Sequence, residues 1–333
     1  MNTLHRDIGM TPLTDTFGHR AILAFEHHSD RIFKYEPRVL KDKDPEDLHQ
    51  LRVGMRRLRS AIAGFGMAVV LPAAISDHKI GRMARVLGVQ RDNDVLQGIL
   101  AEKYYPHLPS AERKALDRVL KQLKKDRKQA VKATRKLLAQ GKFIEFKAQW
   151  QPWLASPQIT PIGALPIAPL LPDLLLPQLS QFFCHPGWLV GTEPDPEATH
   201  GLGRRCRPLT KTVVQGELNH QEITLHDLRK VAKRTRYQME LFSDCYGEDY
   251  QKLLNQVKQV QDILGNLQDS FVLRQLIEDC LDVELARLSP QLEAIFHGDR
   301  LQCWTQWQSL QSLFLDSDYR QHCRQFINHR RDQ

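Results

Sequence analysis

Two stretches of the 333-residue chain carry the same chemistry: LHQLRVGMRRLR at residues 48–59 and LHDLRKVAKRTR at residues 225–236. Each opens His-x-Leu-Arg and continues with three or more further cations and almost no acid. Guanidinium forks hold pairs of phosphate or carboxylate oxygens, and ammonium groups add point charge. On a helix turning about 100° per residue, Arg52, Arg56 and Arg59 fall within about 80° of one another, with His49 at the border. Leu51, Met55, Leu58 and Ile62 form the adjacent stripe and are expected to face the core. The second copy divides in the same way. His226, Arg229, Lys233 and Arg236 make its cationic stripe, with Lys230 at the edge, and Leu228, Ala232, Thr235 and Met239 its buried one.

From Leu48 to Ser76 there is no Asp or Glu, so the first stripe has no acidic partner further along its own helix. In the second copy Glu240 can reach Arg236 and Asp227 can reach Lys230. Asp92 and Asp269 are the candidate acids from other helices, because they recur at the repeat spacing. A cluster of arginines beside a core is unfavourable unless solvent or an anion compensates it. The plain alternative is a set of solvated surface arginines. Duplication, closeness to the core face and depletion of acid favour an anion site. For His49 and His226, ligand contact and a buried hydrogen-bonding role stand level.

A second cationic feature lies between the copies. Residues 111–142 hold twelve Lys/Arg against three acids, an excess of nine, whereas the whole chain has net charge +8, so the remainder sums to about −1. Lys114, Arg118, Lys121, Lys125, Lys128, Lys132 and Arg135 follow 4-3-4-3 spacing. On a helix they form one basic seam about 30 Å long, suited to a linear polyanion rather than a compact ligand. Leu116, Leu120, Leu123, Ala130 and Leu137 lie on another face for packing.

The elements that must position these groups read as helices throughout, and the fold class expected is all-α. A shift of 177 residues superimposes the two motif stretches and, with no gap, LGVQRDNDVL (87–96) on LGNLQDSFVL (264–273). That unbroken register marks an internal duplication. Expected helices are 17–35, 46–68, 77–88, 94–104 and 110–149, then 202–218, 225–243, 248–265, 270–285, 289–316 and 318–330, with the Leu-Gly segments read as turns. Asp44 is the expected cap of the first motif helix, with Pro45 in its first turn. Between the halves, residues 152–196 hold ten of the eighteen prolines. Prolines and Asp173 argue against a membrane span there, and the segment reads as an apolar connector rather than an exposed docking hook.

Six isolated cysteines without a C-x-x-C pair, and no apolar run after the first charges of MNTLHRDIGMTPLTD, fit a reducing cytoplasm without export. No phosphate-binding Gly loop or G-x-S-x-G segment occurs. His27–His28 and His322, Cys323 and His329 are too loosely spaced for a metal site, and no cofactor is expected.

Duplicated H-x-L-R-x-x-x-[RK]-x-x-R helices, each followed by L-G-x-x-x-D, resemble the CHAD family (conserved histidine α-helical domain). The resemblance covers both halves, residues 17–149 and 200–330, joined by a Pro-rich connector at 150–199. It implies two helical bundles related by a pseudo-twofold axis, with the motif helices lining a basic cavity or surface. It also implies binding of inorganic polyphosphate and association with polyphosphate granules and their proteins. His49, Arg52, Arg56 and Arg59 then take the motif positions of one half, and His226, Arg229, Lys233 and Arg236 those of the other. This chain departs from the pattern in Lys233, which replaces an Arg, and in Phe271, which stands where the first half has Asp94. The alternating E-x-E-x-K strand of the triphosphate-tunnel domain that often accompanies CHAD domains is absent.

Three functions follow in order. The first is non-catalytic binding of polyphosphate. The second is nucleic-acid binding, disfavoured because aromatics are only 8% of the chain and are not interleaved with the cations. The third is an enzyme acting on phosphoanhydrides, which would need clustered carboxylates that the motif helices lack.

Overall fold

Residues 44–47 start a helix as their types require. Asp44 Oδ1 accepts from the Glu46 amide at 2.8 Å, Pro45 occupies the first turn, and Glu46 and Asp47 lie at the positive helix end. In the computed structural model, which describes residues 15–197, 202–207 and 210–328, this is the second of a series of α-helices. They are α1 (Phe17–Lys41), α2 (Pro45–Phe65), α3 (Asp77–Gly98), α4 (Ser110–Ala139), α5 (Lys142–Ala155) and α6 (Leu171–Phe183). Then follow α7 (Lys211–Glu240), α8 (Glu248–Leu281), α9 (Leu285–Leu288), α10 (Pro290–Leu315) and α11 (Ser317–Asn328). Two short antiparallel pairs, β1 (Val69–Val70) with β2 (Gln158–Ile159) and β3 (Thr192–Pro194) with β4 (Arg204–Cys206), complete an all-α helical fold. The N-terminal residues 1–14 and His329 lie outside the described residues.

Several expected breaks do not occur. LGVQRDNDVL lies within continuous α3, and LGNLQDSFVL within continuous α8. Neither segment contains proline, and a helical glycine costs only about 1 kcal/mol, which tertiary packing overrides. Residues 219–224, read as a gap, likewise continue α7. Conversely, the single helix expected over 110–149 is two. Gly141 sits at φ 61°, a left-handed conformation that ends α4 and begins α5.

The chain gathers into two compact units. The first comprises the described residues up to Ala84 with Leu137–Leu171, the second Arg85–Lys136 with the described residues from Pro172 onward. In the first, Leu51, Met55, Leu58 and Phe65 of α2 are buried with Phe17, Phe25 and Ile32 of α1 and Trp150 of α5. Gly54 permits this: a Cβ there would stand 2.9 Å from the Ile32 side chain and 3.1 Å from the His28 carbonyl. In the second, Leu116, Val119 and Leu123 of α4 share a core with Leu273 and Ile277 of α8 and Leu292 and Phe296 of α10.

Much of the proline-rich segment's apolar surface is buried, while Ile162, Leu165 and Leu189 remain exposed. Ile167, Leu171, Leu175, Leu179 and Phe182 are buried, and Pro177 is accommodated inside α6. Trp188 stacks on Trp307 (5.0 Å, 17°) and meets Phe314 at 4.8 Å, and Gln311 Nε2 donates to the Trp188 and Val190 carbonyls at 2.7 and 2.8 Å. No described helix is long and apolar enough to cross a membrane.

Replacing Trp188 by Ala is therefore expected to lower stability by about 3–5 kcal/mol, seen as a reduced urea midpoint at unchanged slope. A loss under ~0.5 kcal/mol would mark the segment as an exposed hook instead.

Candidate functional site

Helix α2 places its cations beside its buried stripe, as the spacing requires. His49, Arg52, Arg56 and Arg59 are all half-buried, while Leu51, Met55 and Leu58 are fully buried. Arg52 Nη1 donates to the Ala84 carbonyl of α3 at 3.0 Å. Arg59 forms a forked pair with Asp77, at 2.8 and 3.2 Å. Asp77, one residue beyond the acid-free run, supplies this carboxylate. Gly81, one turn further along α3, lets the Arg59 guanidinium lie flat, since a Cβ there would stand 3.1 Å from Cζ.

Helix α7 repeats the arrangement. Leu228, Ala232, Thr235 and Met239 are buried as expected. Arg229 lies along α8 at Gly265, where a Cβ would come within 3.2 Å of its Nε. The glycine of the recurring Leu-Gly segment thus serves close approach of an arginine rather than a turn. Arg229 makes no ion pair among the described residues, and its Nε is buried without a hydrogen-bond partner. Asp269 faces it from beyond ion-pair distance. Burial raises the Asp269 carboxyl, Arg229 pulls it down, and Asp92 raises it further.

The expected local pairs form. Lys230 meets Asp227 at 2.5 Å and Arg236 meets Glu240 at 3.8 Å. The side chains of Lys230 and Asp227 are both largely open to solvent, so their pair contributes little. Arg236 is the most enclosed, with its guanidinium 4.5 Å from the Tyr237 ring centre. Lys233 is half-buried one turn before it. The pKa of His226 is lowered by burial, then by Lys230 and Arg229, while a hydrogen bond with Gln268 opposes them. Near neutral pH its imidazole is therefore mainly uncharged and acts through hydrogen bonding.

On α4 the seven seam residues, Lys114, Arg118, Lys121, Lys125, Lys128, Lys132 and Arg135, are all exposed. The first six make no ion pair among the described residues. The three acids of the region are turned to other work: Glu112 to the Ser289 hydroxyl, Asp117 to the Tyr105 hydroxyl at 3.0 Å, and Asp126 to Gln122 at 2.8 Å. Arg127, off the seam, pairs with the nearly buried Asp94 at 2.6 Å.

His28 of α1 is a charge-sensitive neighbour that sequence reasoning noted only as a weak metal ligand. Its ring stands 5.2 Å from that of His27, and burial first, then His27, Arg57 and Arg31, lowers its pKa to about 4. Among the described residues, no three His, Cys, Asp or Glu side chains are grouped to hold a metal ion.

A family model for the CHAD domain matches residues 23–278, so the chain belongs to the CHAD family. The crystal structure of the CHAD domain from the plant Ricinus communis is similar in fold: 20% identity, 99% of this chain and 98% of that chain covered, TM-score 0.54. PptA from Streptomyces chartreusis is similar likewise: 15% identity, 87% of this chain and 99% of that chain covered, TM-score 0.56. No curated protein sequence matches the chain.

Because His28 titrates near 4 in the fold and at 6.5 in the unfolded chain, the unfolded state binds the extra proton between those values. Its contribution is therefore complete above 6.5 and lost as pH falls toward 4, by roughly 3 kcal/mol at most. Urea midpoints measured across this range should fall more steeply for wild type than for His28→Gln. Superimposable profiles would contradict the assignment.

Proposed function

We propose that the chain binds inorganic polyphosphate, without chemical turnover, through the cations of α2 and α7. The observation that carries this reading is Arg229: a half-buried guanidinium at the edge of a core, with no ion pair among the described residues and a buried, unpartnered Nε. With Nε packed against Gly265, the Nη atoms of this half-buried guanidinium are left to meet a phosphate oxygen in charge-assisted hydrogen bonds. Arg52, Arg56, Arg59, Lys230 and Lys233 add donors, and the exposed carboxylates of Asp77 and Asp227 are weak competitors that a polyanion can displace. His49 and His226 contribute hydrogen bonds. Arg236, enclosed by Tyr237 and Glu240, supplies field more than contact.

The α4 seam supports the same reading as a second track for a linear chain. It contains no aromatic residue between Ser110 and Ala139, so nucleobases would find no stacking platform there. Polyphosphate needs none. On this reading the protein works in the cytoplasm, at polyphosphate granules and beside their proteins.

Calorimetric titration of long-chain polyphosphate at two salt concentrations tests the proposal. Affinity should fall with salt by on the order of −0.7 in log–log slope per neutralised phosphate. Arg52→Glu/Arg56→Glu/Arg229→Glu, folded by circular dichroism, should bind at least about tenfold more weakly. Lys121→Glu/Lys125→Glu/Lys128→Glu should lose less. Equal binding by wild type and the motif variant would move the site to the seam. Stronger competition by single-stranded RNA would replace polyphosphate with nucleic acid, and protein-dependent phosphate release would make the chain an enzyme.

A further inference from the structure

A histidine from outside the repeated motif stands beside the cations of α7. The 3₁₀ turn Pro186–Leu189 of the proline-rich segment packs directly on that helix: a Cβ at Gly187 would stand 2.8 Å from the Leu228 Cβ. His185 caps this turn, its Nδ1 accepting from the Gly187 amide at 3.0 Å. A ring nitrogen that accepts carries no proton, so the neutral imidazole bears its hydrogen on Nε2, on the side away from its own backbone. The charged groups that act on the ring are Asp227 and Arg234, both of α7. Burial lowers the imidazole pKa, Asp227 opposes this and Arg234 adds to it, so near neutral pH the ring is an uncharged donor. A proton added at Nδ1 would displace the Gly187 amide, and the cap therefore holds the ring in that form.

Arg234 is the cation of the motif stretch that the stripe of Arg229, Lys233 and Arg236 leaves out. At about 100° per residue it lies about 140° round α7 from Arg229, with Lys230 between them. Arg234 is exposed and makes no ion pair among the described residues. Lys230 pairs with Asp227 at 2.5 Å, where both side chains are open to competition by solvent and anions. The first unit repeats the juxtaposition. Arg57, 177 residues before Arg234, acts on His28 of α1. In each unit an arginine outside the cationic stripe of a motif helix faces a half-buried histidine from a preceding element.

We propose that His185 is a further phosphate-binding residue: with Lys230 and Arg234 it forms an outer contact on α7, and a polyphosphate chain crosses the helix from Arg229 to His185 rather than following the inner stripe alone. This rests on the polyphosphate binding proposed for α7. The Nε2–H of His185 donates to a phosphate oxygen, Arg234 offers its fork, and Lys230 leaves Asp227 for the chain. Lys230 and Arg234 exceed Asp227 by one charge, so the contact attracts an anion while His185 stays neutral.

Calorimetric titration of long-chain polyphosphate into the full-length His185→Asn variant, at several salt concentrations, tests the contact. Asn is a good cap and keeps an acceptor for the Gly187 amide, but it is too short to present the Nε2 donor. The variant should unfold at the wild-type temperature and bind at least about fivefold more weakly, with the salt slope unchanged because the lost donor is uncharged. Arg234→Gln, at an exposed position, should bind at least about fivefold more weakly and lose about 0.7 of log–log salt slope, the share of one phosphate. It decides the matter if His185→Asn does not fold. Wild-type affinity in folded His185→Asn, or in Arg234→Gln, would overturn the proposal. If Arg229→Gln alone weakens binding, the outer contact is refuted while polyphosphate binding by the inner stripe stands. No binding by wild type would refute both.

Discussion

Burying one face of α2 and one face of α7 obliges the arginines on the adjacent stripe to lie where core meets solvent. There a guanidinium cannot simply turn into water. It must find oxygens on a neighbouring helix, and each site shows this in its own way. Arg52 takes a backbone carbonyl of α3, Arg59 takes an exposed carboxylate, and Arg229 lies flat on α8 with an unpartnered Nε. Small residues make the approach possible. Gly81 and Gly265 remove the Cβ atoms that would otherwise meet Arg59 and Arg229. The contacts of Arg52 and Arg59 hold their guanidinium groups in place, which under the proposed function would lower the entropy lost on binding a polyanion.

The duplication supplies two copies of this solution, and the copies have diverged where charge meets the packed interior. Asp94 neutralises Arg127 of α4, whereas Phe271 packs its ring against Arg300 of α10. Exchange of a carboxylate for a ring conserves packing and changes the electrostatics. The first six cations of the α4 seam form no ion pair among the described residues, and the three acids of that stretch are hydrogen-bonded to Ser289, Tyr105 and Gln122 instead. Among the described residues, basic charge is therefore of three kinds: half-buried and positioned on α2 and α7, exposed along α4, and buried without an ion pair at Arg300.

Much of this was legible in the sequence. Helical periodicity identified the buried faces of α2 and α7 residue by residue, and Asp44–Pro45 marked the start of α2, because both signals act within one or two turns. The ion pairs of Lys230 and Arg236 were legible for the same reason. What depended on distant segments was not. The Leu-Gly segments looked like turns because glycine disfavours helix locally, but for Gly265 close approach of an arginine from another helix outweighs that cost. Gly141 gave no strong local warning, since its break depends on a positive φ that the surrounding structure selects. Asp77 lay just outside the acid-free run, and only the folding of α3 onto α2 brings it to Arg59. Arg300 carried no pattern at all, because its isolation is a property of the tertiary structure around it.

The most direct test of the central claim is a crystal structure of the protein grown with long-chain polyphosphate. The account predicts phosphate oxygens within about 3 Å of the guanidinium nitrogens of Arg52, Arg56 and Arg229, with the Asp77 carboxylate displaced from Arg59. A chain seated only along the α4 seam, with the Arg59–Asp77 pair intact and Arg229 untouched, would contradict it.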